Sequence, residues 1–429
     1  MSVIVVICAA FLALLCYLRY HTFYNPGFLF CAFWTIIIGL GSLRLYGEIE
    51  ASNHVYFIFL VGIICYAFGA ILIGEKTIKI RKNGNAKSSY ILNRNDLQEK
   101  LFSVLAIISI VLCTRNLIKA LPQLMSGASL GELRASYWTV GEGVISNAKD
   151  YFIQNVINET LITTLIPIGV IEFVKNKKKK FPLFVSIYLL LSQWIINGGR
   201  IKFVDFILYF SISMMLMSKK IHVTKKQKKV FAVIIIAVIS TLVYTTNQRQ
   251  GHQGFWYALY NDYTCSIPLM EITTKLAENS GDITYGIIGL RGFIEPITTV
   301  LQSIGHIDSI PQFLTLAKYT NVFFSIGDGQ RNNAYVSSFF YFYLDWRMLG
   351  VIFGNLIYGV LSQNAYNLAK RRTDSCSMAI YLLFVSTIFT SNIRFNFSTP
   401  AYAYGVVLIY ILYHFKLKNK KVQYERAVV

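Results

Sequence analysis

Charged side chains are scarce in this chain of 429 residues, making up 14% of the sequence against 55% hydrophobic residues. An ordinary soluble domain is excluded, because its charged fraction is about 25%. Windows of about 18 apolar residues recur along the chain, which is the length that a helix needs to cross a bilayer. We predict an all-α integral membrane protein, because each spanning segment must satisfy its own backbone hydrogen bonds in lipid.

Motifs that bind nucleotides, metals or disulfide partners are also missing. The seven cysteines show no paired spacing, which excludes a disulfide framework and a zinc site. The chain has no P-loop, no dinucleotide fingerprint and no His-Glu-x-x-His pair. It also lacks the Asp-x-Asp pair that often holds a divalent cation on a nucleotide sugar, and Glu48-x-Glu50 is the nearest substitute. We expect no metal, no cofactor and no ATP-driven pump.

A series of apolar segments dominates the sequence. We predict about eleven transmembrane helices in a single polytopic domain over residues 1–429. The predicted spans are residues 2–18, 27–46, 55–74, 101–118, 152–174, 181–196, 201–217, 230–246, 348–369, 377–395 and 400–415.

The longest segment without a predicted span covers residues 247–347. A connection of this length between helices is usually functional. Its apolar patches are too short or too interrupted to span, and they predict interfacial or re-entrant helices over the bundle. These patches are Phe255–Tyr260, Ile283–Phe293, Ile310–Leu316 and Ala334–Leu344.

The basic residues predict the orientation of the helices. If residues 75–100 are cytoplasmic, 27 of the 41 Lys and Arg residues and every basic cluster fall on that side. This topology accounts for the net charge of +20, so we expect membrane lipids and no nucleic acid as partners. The segment 247–347, the turn at 197–200 and the turn at 392–399 then lie on the outer face of a multi-pass protein.

Arg200 interrupts an apolar run of 37 residues from Phe181 to Met217, which is flanked by lysine-rich stretches. The run predicts a helical hairpin whose Asn-Gly-Gly turn lies at the outer face, with Arg200 at or inside the membrane boundary. A guanidinium in that position costs about 2.5–3.5 kcal/mol on insertion scales, so it usually has an anionic partner or a function. Lys202 and Asp205 follow it on the same segment.

Further arginines recur at the outer ends of predicted spans, against the positive-inside rule. They are Arg249, Arg331, Arg347 and Arg394. Arginine suits phosphate, since its planar group donates two parallel hydrogen bonds and stays charged. The set therefore indicates a site for a lipid-linked diphosphate. Alternatively, each arginine pairs with a carboxylate such as Asp205 or Asp345, or extends to phospholipid head groups.

Side chains able to move a proton also fall in the outer segments. They are His252, Asp262, Glu271, Glu295, His306, Asp328 and Asp345. An attacking hydroxyl needs such a group within reach, or at least an acceptor that orients it. Any one of them could equally be a solvated loop residue. His252 stands out because it follows Arg249 by three residues and lies between two glycines.

These features together resemble the bacterial O-antigen, or oligosaccharide repeat unit, polymerases of the Wzy type. The resemblance rests on Asn197-Gly198-Gly199-Arg200 at a short outer hairpin, on the arginine after the next span and on the large outer loop. It includes Asn332-Asn333-Ala334-Tyr335, followed by an aromatic run that ends in Asp345-Trp346-Arg347-Met348-Leu349-Gly350.

The resemblance implies a GT-C-like glycosyltransferase in the bacterial cytoplasmic (inner) membrane. Such an enzyme joins polyprenyl-diphosphate-linked oligosaccharides into a surface polysaccharide, with a chain-length regulator protein as a further partner. Arg200 and Arg249 would bind the diphosphate, with Arg331 or Arg394 as a third contact. Fixed arginines would stabilise the charge on the leaving diphosphate without a metal. His252 or Asp345 would orient the acceptor hydroxyl.

Two other functions stay open. A ligase or another transferase on the same lipid carrier could use a metal, with Glu48 and Glu50 as its acids. A flippase would export the lipid-linked unit, but such transporters tend toward two similar halves with polar residues near mid-membrane.

Overall fold

A computed structural model describes most of the chain. It covers residues 1–74, 96–127, 132–133, 145, 147–176, 180–197, 199–217, 254–303, 305, 310–333 and 335–414, with isolated positions between 232 and 243. The predicted site residues Arg249 and His252, and most of the predicted span 230–246, lie outside these described residues.

The described residues are almost entirely helical. The helices are α1 (Ser2–Tyr20), α2 (Pro26–Gly41), α3 (Asn53–Ile73), α4 (Asp96–Met125), α5 (Ala148–Phe152), α6 (Glu159–Lys175), α7 (Phe181–Asn197), α8 (Ile201–Met217), α9 (Gly254–Thr264), α10 (Ser266–Ser280), α11 (Ile287–Ser303), α12 (Pro311–Thr320), α13 (Ser337–Arg372), α14 (Ser375–Phe389) and α15 (Pro400–His414). A π-helical segment, Ile153–Asn158, joins α5 to α6. One antiparallel hairpin is formed by β1 (Phe324–Gly327) and β2 (Gln330–Asn332).

Among the described residues, five helical segments are long and apolar enough to cross a membrane: α1, α3, α4, the α5–α6 segment and α13. Helices α2, α7, α14 and α15 are also apolar but shorter. The prediction of an all-α membrane protein is confirmed at this level. Every predicted span except 230–246 coincides with a helix, while the count of eleven spans stays a prediction.

The bundle surface carries stripes of large exposed apolar side chains. On α1, Ile4, Ile7, Phe11, Leu14 and Leu18 are 51–63% exposed and follow the spacing of one helix face. Comparable exposed faces run along α3, α4 and α13. Apolar faces of this extent are unfavourable in water, whereas lipid chains cover them without penalty.

Glycines allow α3 and α13 to pack closely. A Cβ on Gly69 would collide with the backbone carbonyl of Leu356, and a Cβ on Gly359 would collide with that of Tyr66. Small residues at a helix crossing let two backbones approach, which is a common way of packing helices in membranes. Both helices contribute side chains to the buried core.

The four apolar patches predicted in residues 247–347 fall in or beside helices, with one difference, while their interfacial or re-entrant position stays a prediction. The first three patches fall in or beside α9, α11 and α12, none of which is among the candidate membrane spans. The fourth patch belongs largely to α13, which begins at Ser337 and so starts earlier than the predicted span 348–369. The irregular residues Trp346 and Arg347 interrupt α13 where the sequence pattern also breaks.

An irregular turn within α13 forms hydrogen bonds to the segment that precedes α11. Trp346 and Arg347 leave the helical conformation, and Arg347 adopts a φ of 51°. The freed carbonyls of Leu344 and Asp345 accept the N–H groups of Thr284 and Tyr285, both at 3.0 Å. The break therefore exchanges two helical hydrogen bonds for two that hold the segment preceding α11.

Candidate functional site

Arg200 lies at the junction of two helices. It immediately precedes α8, and its backbone carbonyl accepts the N–H groups of Phe203 at 3.1 Å and Val204 at 3.4 Å, so it acts as the N-cap residue of that helix. The partial positive charge of the helix N-terminus adds to that of the guanidinium. The short turn after α7 thus creates a positively charged position between two apolar helices.

The guanidinium of Arg200 forms an ion pair with Asp262 on α9. Its Nη2 lies 2.6 Å from Oδ2 of Asp262, and the two side chains are 15% and 29% exposed. Pairing with a carboxylate was one of the two alternatives expected for this arginine, although the partner is neither Asp205 nor Asp345. Asp262 was itself a candidate for proton transfer.

Helix α9 connects three parts of the chain at this point. The backbone carbonyl of Asp262 accepts the side-chain amide of Asn392, which lies in the turn after α14, at 3.0 Å. The neighbouring Asn261 accepts the amide of Asn332 on β2 at 2.8 Å. Together with the ion pair to Arg200, these contacts hold α9 against the start of α8, the α14–α15 turn and the hairpin.

A second group of polar side chains lies in the first turns of α8. The Lys202 ammonium is 3.3 Å from Oγ1 of Thr163 and 3.9 Å from Oε2 of Glu159, both on α6. It also lies over the ring of Tyr402 on α15, 5.6 Å from the centroid. Lys202 therefore joins α6, α8 and α15.

Asp205 lies deeper in the same group and is 2% exposed. Within the described part of the chain, neither oxygen of its carboxylate has a hydrogen-bond partner. The Lys202 ammonium and the hydroxyls of Ser386 and Tyr402 lie close to it. An ionisable group buried among apolar helices is usually functional, because its burial is unfavourable.

Arg394 lies in the turn between α14 and α15. The turn is closed by a hydrogen bond from its backbone N–H to the carbonyl of Thr390 at 3.2 Å, and Asn396 donates to the Thr390 hydroxyl at 2.6 Å. The half-buried guanidinium lies within electrostatic range of Tyr341 and Tyr402. It forms no ion pair with any residue that the structure describes. Arg394 thus shares Tyr402 as a neighbour with Lys202.

Arg331 has an exposed side chain on β2. The adjacent residues fasten the hairpin: Gln330 donates to the carbonyl of Tyr46 at 2.6 Å, and Asn332 contacts Asn261 on α9. Because side chains alternate along a strand, Arg331 points away from these contacts. Its hairpin therefore lies next to α9, while the guanidinium faces outward.

The carboxylate of Asp345 caps helix α11. Its Oδ1 accepts the Thr284 hydroxyl at 2.6 Å and the N–H of Ile288 at 3.1 Å, and its Oδ2 accepts the N–H of Gly289 at 2.8 Å. A buried carboxylate held by three donors at a helix N-terminus has a structural role. The expected role of Asp345 in orienting an acceptor stays a prediction.

Glu48 and Glu50, the suggested metal acids, point to different partners. Glu48 is buried and accepts the Thr264 hydroxyl at 2.6 Å, whereas the exposed Glu50 pairs with Arg44 at 2.6 Å. Burial raises the pKa of Glu48 to about 7, opposed by its hydrogen bonds to Thr264 and Tyr260. In the part of the chain that the structure describes, no three His, Cys, Asp or Glu side chains are grouped as metal ligands.

The sequence reasoning missed Glu159 and the polar side chains that precede it. Asn158 donates to Gln154 at 3.0 Å, and Gln154 donates to Glu159 at 3.5 Å. All three belong to the predicted span 152–174, where their polarity was a signal that could have been used. The π-helical segment that carries Gln154 and Asn158 is a second sign, because such segments are frequent at functional sites.

Comparison with known proteins gives no further constraint on the family. No protein-family model, no curated protein and no solved structure matches this chain.

Proposed function

We propose that this protein is a polymerase of oligosaccharide repeat units that are linked to a polyprenyl diphosphate. The growing chain would leave its lipid diphosphate and join the terminal sugar of an incoming lipid-linked unit. The proposed location is the outer face of a bacterial cytoplasmic membrane, with about eleven spans around the site. A chain-length regulator protein would be a further partner, and the proposed transfer needs no metal.

The observation that carries this proposal is the position of Arg200 at the start of α8. A cation held between two apolar helices, at a helix N-terminus, suits an anionic group attached to a lipid. The guanidinium of Arg200 already binds one anionic group, the carboxylate of Asp262. Because Asp262 is partly exposed, a diphosphate can compete with it for the same hydrogen bonds. Arg200 is also the residue on which the family resemblance chiefly rests.

Arg394 supports the same assignment as a second cation. Asn392, two residues before it, binds the carbonyl of Asp262, so the turn that carries Arg394 contacts the helix that carries the partner of Arg200. Arginines fixed before the reaction stabilise a leaving diphosphate without reorganisation as charge develops on it. Arg249 and Arg331 stay in the proposal as further contacts, the first of them outside the described residues.

The alternative functions have less support. A metal-using transferase would need Glu48 and Glu50 to act together, but they contact Thr264 and Arg44 separately. A ligase would use the same arginines and differs only in its acceptor. For a flippase, the half-buried Lys202 and the buried Asp205 are the supporting feature, since transporters carry polar residues within the membrane.

A reconstituted reaction tests the proposal. The purified full-length protein is placed in liposomes with lipid-linked repeat units extracted from host cells that lack it, and the products are separated by length. We expect a ladder of lipid-linked polymers from the wild type and only single units from Arg200→Ala. Transfer onto a lipid A core acceptor would favour the ligase, whereas movement of the unit across the bilayer without a covalent product would favour the flippase.

A further inference from the structure

The ion pair between Arg200 and Asp262 is partly open to its surroundings. The two side chains are 15% and 29% exposed, and their closest atoms are 2.6 Å apart. An arginine at the predicted membrane boundary would meet the phosphate groups of ordinary membrane lipids, which attract basic side chains. In this structure the guanidinium binds a carboxylate of its own chain instead. Any lipid phosphate that takes this position therefore has to displace Asp262.

Helix α9 keeps the carboxylate of Asp262 next to whatever ligand displaces it. The backbone carbonyl of Asp262 accepts the amide of Asn392 at 3.0 Å, and the neighbouring Asn261 accepts the amide of Asn332 at 2.8 Å. These contacts hold the backbone on both sides of the ion pair. A ligand at the guanidinium is therefore accommodated by rotation of the Asp262 side chain, whose negative charge stays close to the bound phosphate.

This arrangement makes the exchange depend on the charge of the ligand. A phosphodiester head group, such as that of phosphatidylglycerol, carries one negative charge and would replace one anion by another, against repulsion from the displaced carboxylate. A lipid-linked diphosphate has two charged phosphate groups and more hydrogen-bond acceptors, and it is attracted to the positive end of α8 as well. Specific sites commonly combine attraction of the ligand with repulsion of its competitors.

We propose that Asp262 is a specificity-determining residue that excludes singly charged phospholipid head groups from Arg200 and admits a lipid-linked diphosphate, an inference that rests on the proposed function. The carboxylate acts as a competitor within the protein itself, at a high effective concentration. The apparent affinity of every phosphate ligand is reduced by the fraction of molecules in which the ion pair is open. The second phosphate of the diphosphate offsets this loss, whereas a phosphodiester has no such group.

The test measures phosphate binding without the transfer reaction. The purified full-length protein is placed in nanodiscs of phosphatidylcholine, with or without phosphatidylglycerol, and the Kd of inorganic pyrophosphate is measured by calorimetry. Phosphatidylglycerol makes the surface more negative for every variant, so the ratio of the two Kd values is compared between variants. We expect this ratio in Asp262→Asn to exceed the wild-type ratio by about 10-fold or more, the factor that corresponds to one charged hydrogen bond. In phosphatidylcholine alone, Asp262→Asn should bind pyrophosphate more tightly than the wild type.

Asp282→Asn is the matched control. Asp282 also lies in the outer segment, where it accepts the hydroxyl of Tyr319 at 2.6 Å and lies 3.5 Å from the ammonium of Lys318. Its loss should lower the melting temperature and leave the ratio of Kd values unchanged. Asp262→Glu, which keeps the carboxylate, should also keep the wild-type ratio. Asp262→Ser gives the same test as Asp262→Asn if the asparagine variant does not fold.

Two results would overturn the inference. One is a ratio of Kd values in Asp262→Asn equal to that of the wild type, and the other is weaker pyrophosphate binding by Asp262→Asn in phosphatidylcholine. The second result would mean that Asp262 only holds Arg200 in place. Pyrophosphate binding that Arg200→Ala does not weaken would instead contradict the diphosphate site of the proposed function.

Discussion

Arg200 and Asp262 are separated by 62 residues in the sequence, yet their side chains form a 2.6 Å ion pair. This pair joins the first residue before α8 to a helix of the long segment between α8 and α13. It brings an arginine that the sequence singled out together with a carboxylate whose partner could not be assigned. The pair is also the contact that the proposed diphosphate ligand would have to replace.

Asp262→Asn should destabilise the protein by about 1.5–3 kcal/mol, the range for hydrogen bonds to charged groups. The loss should appear as a lower unfolding midpoint in detergent, because α9 is no longer held to α8 by an ion pair. Adding Arg200→Ala to Asp262→Asn should cost less than the sum of the two single changes. Full additivity would show that the two side chains do not interact.

Arg394→Ala should reduce polymer length while changing stability by less than about 1 kcal/mol, since no ion pair with a described residue is lost. Arg291→Ala is the control. Arg291 binds Glu295 through two hydrogen bonds, at 2.7 and 3.1 Å, and lies over the ring of Phe313. The Arg291→Ala protein should melt at a lower temperature and still form polymers, as judged by product ladders. If instead Arg394→Ala forms polymers of normal length and Arg291→Ala does not, Arg394 does not belong to the proposed site.

The stability of the contact between Glu48 and Thr264 should depend on pH. The pKa of Glu48 is about 7 in the folded protein, mainly through burial, against 4.5 for the free side chain. The folded state therefore retains a proton that the unfolded state has lost, so stability falls as pH rises from 4.5 to 7. Glu48→Gln should reduce this fall in a series of melts across that range. An unchanged pH dependence would contradict the assignment.

Gly359→Val should destabilise the crossing of α3 and α13 by about 1–3 kcal/mol or more, because the added atoms meet the backbone of Tyr66. Gly39→Val on α2 is the matched control, since a Cβ there has no heavy atom within 4 Å outside its immediate surroundings. Unfolding in detergent compares the two variants. An equal loss in both would mean that intrinsic helix propensity, and not the close crossing, causes the effect.

The helices were largely predictable from sequence, because long apolar runs have one structural solution in lipid. The start of α13 at Ser337 was not predictable. Trp346 and Arg347 interrupt the apolar sequence pattern, yet the helix continues through them with an irregular backbone. The partners of that irregularity, Thr284 and Tyr285, are distant in sequence. No local pattern could indicate them.

The candidate site was predictable in part. The Asn-Gly-Gly turn identified Arg200, but its pairing with Asp262 depends on how α9 folds back, which is a tertiary property. The role of Asp345 as a cap for α11 is hidden for the same reason. Glu159 was overlooked because one acidic residue changes the hydropathy of a span very little.

The most direct test of the proposed diphosphate site is the rate of repeat-unit addition in Arg200→Lys. Lysine keeps the positive charge but cannot donate two parallel hydrogen bonds to a phosphate group. We expect product ladders from this variant to stop at one or a few units, while Arg44→Lys, at an exposed arginine paired with Glu50, gives the wild-type distribution. Ladders of wild-type length from Arg200→Lys would contradict bidentate binding of the diphosphate by Arg200.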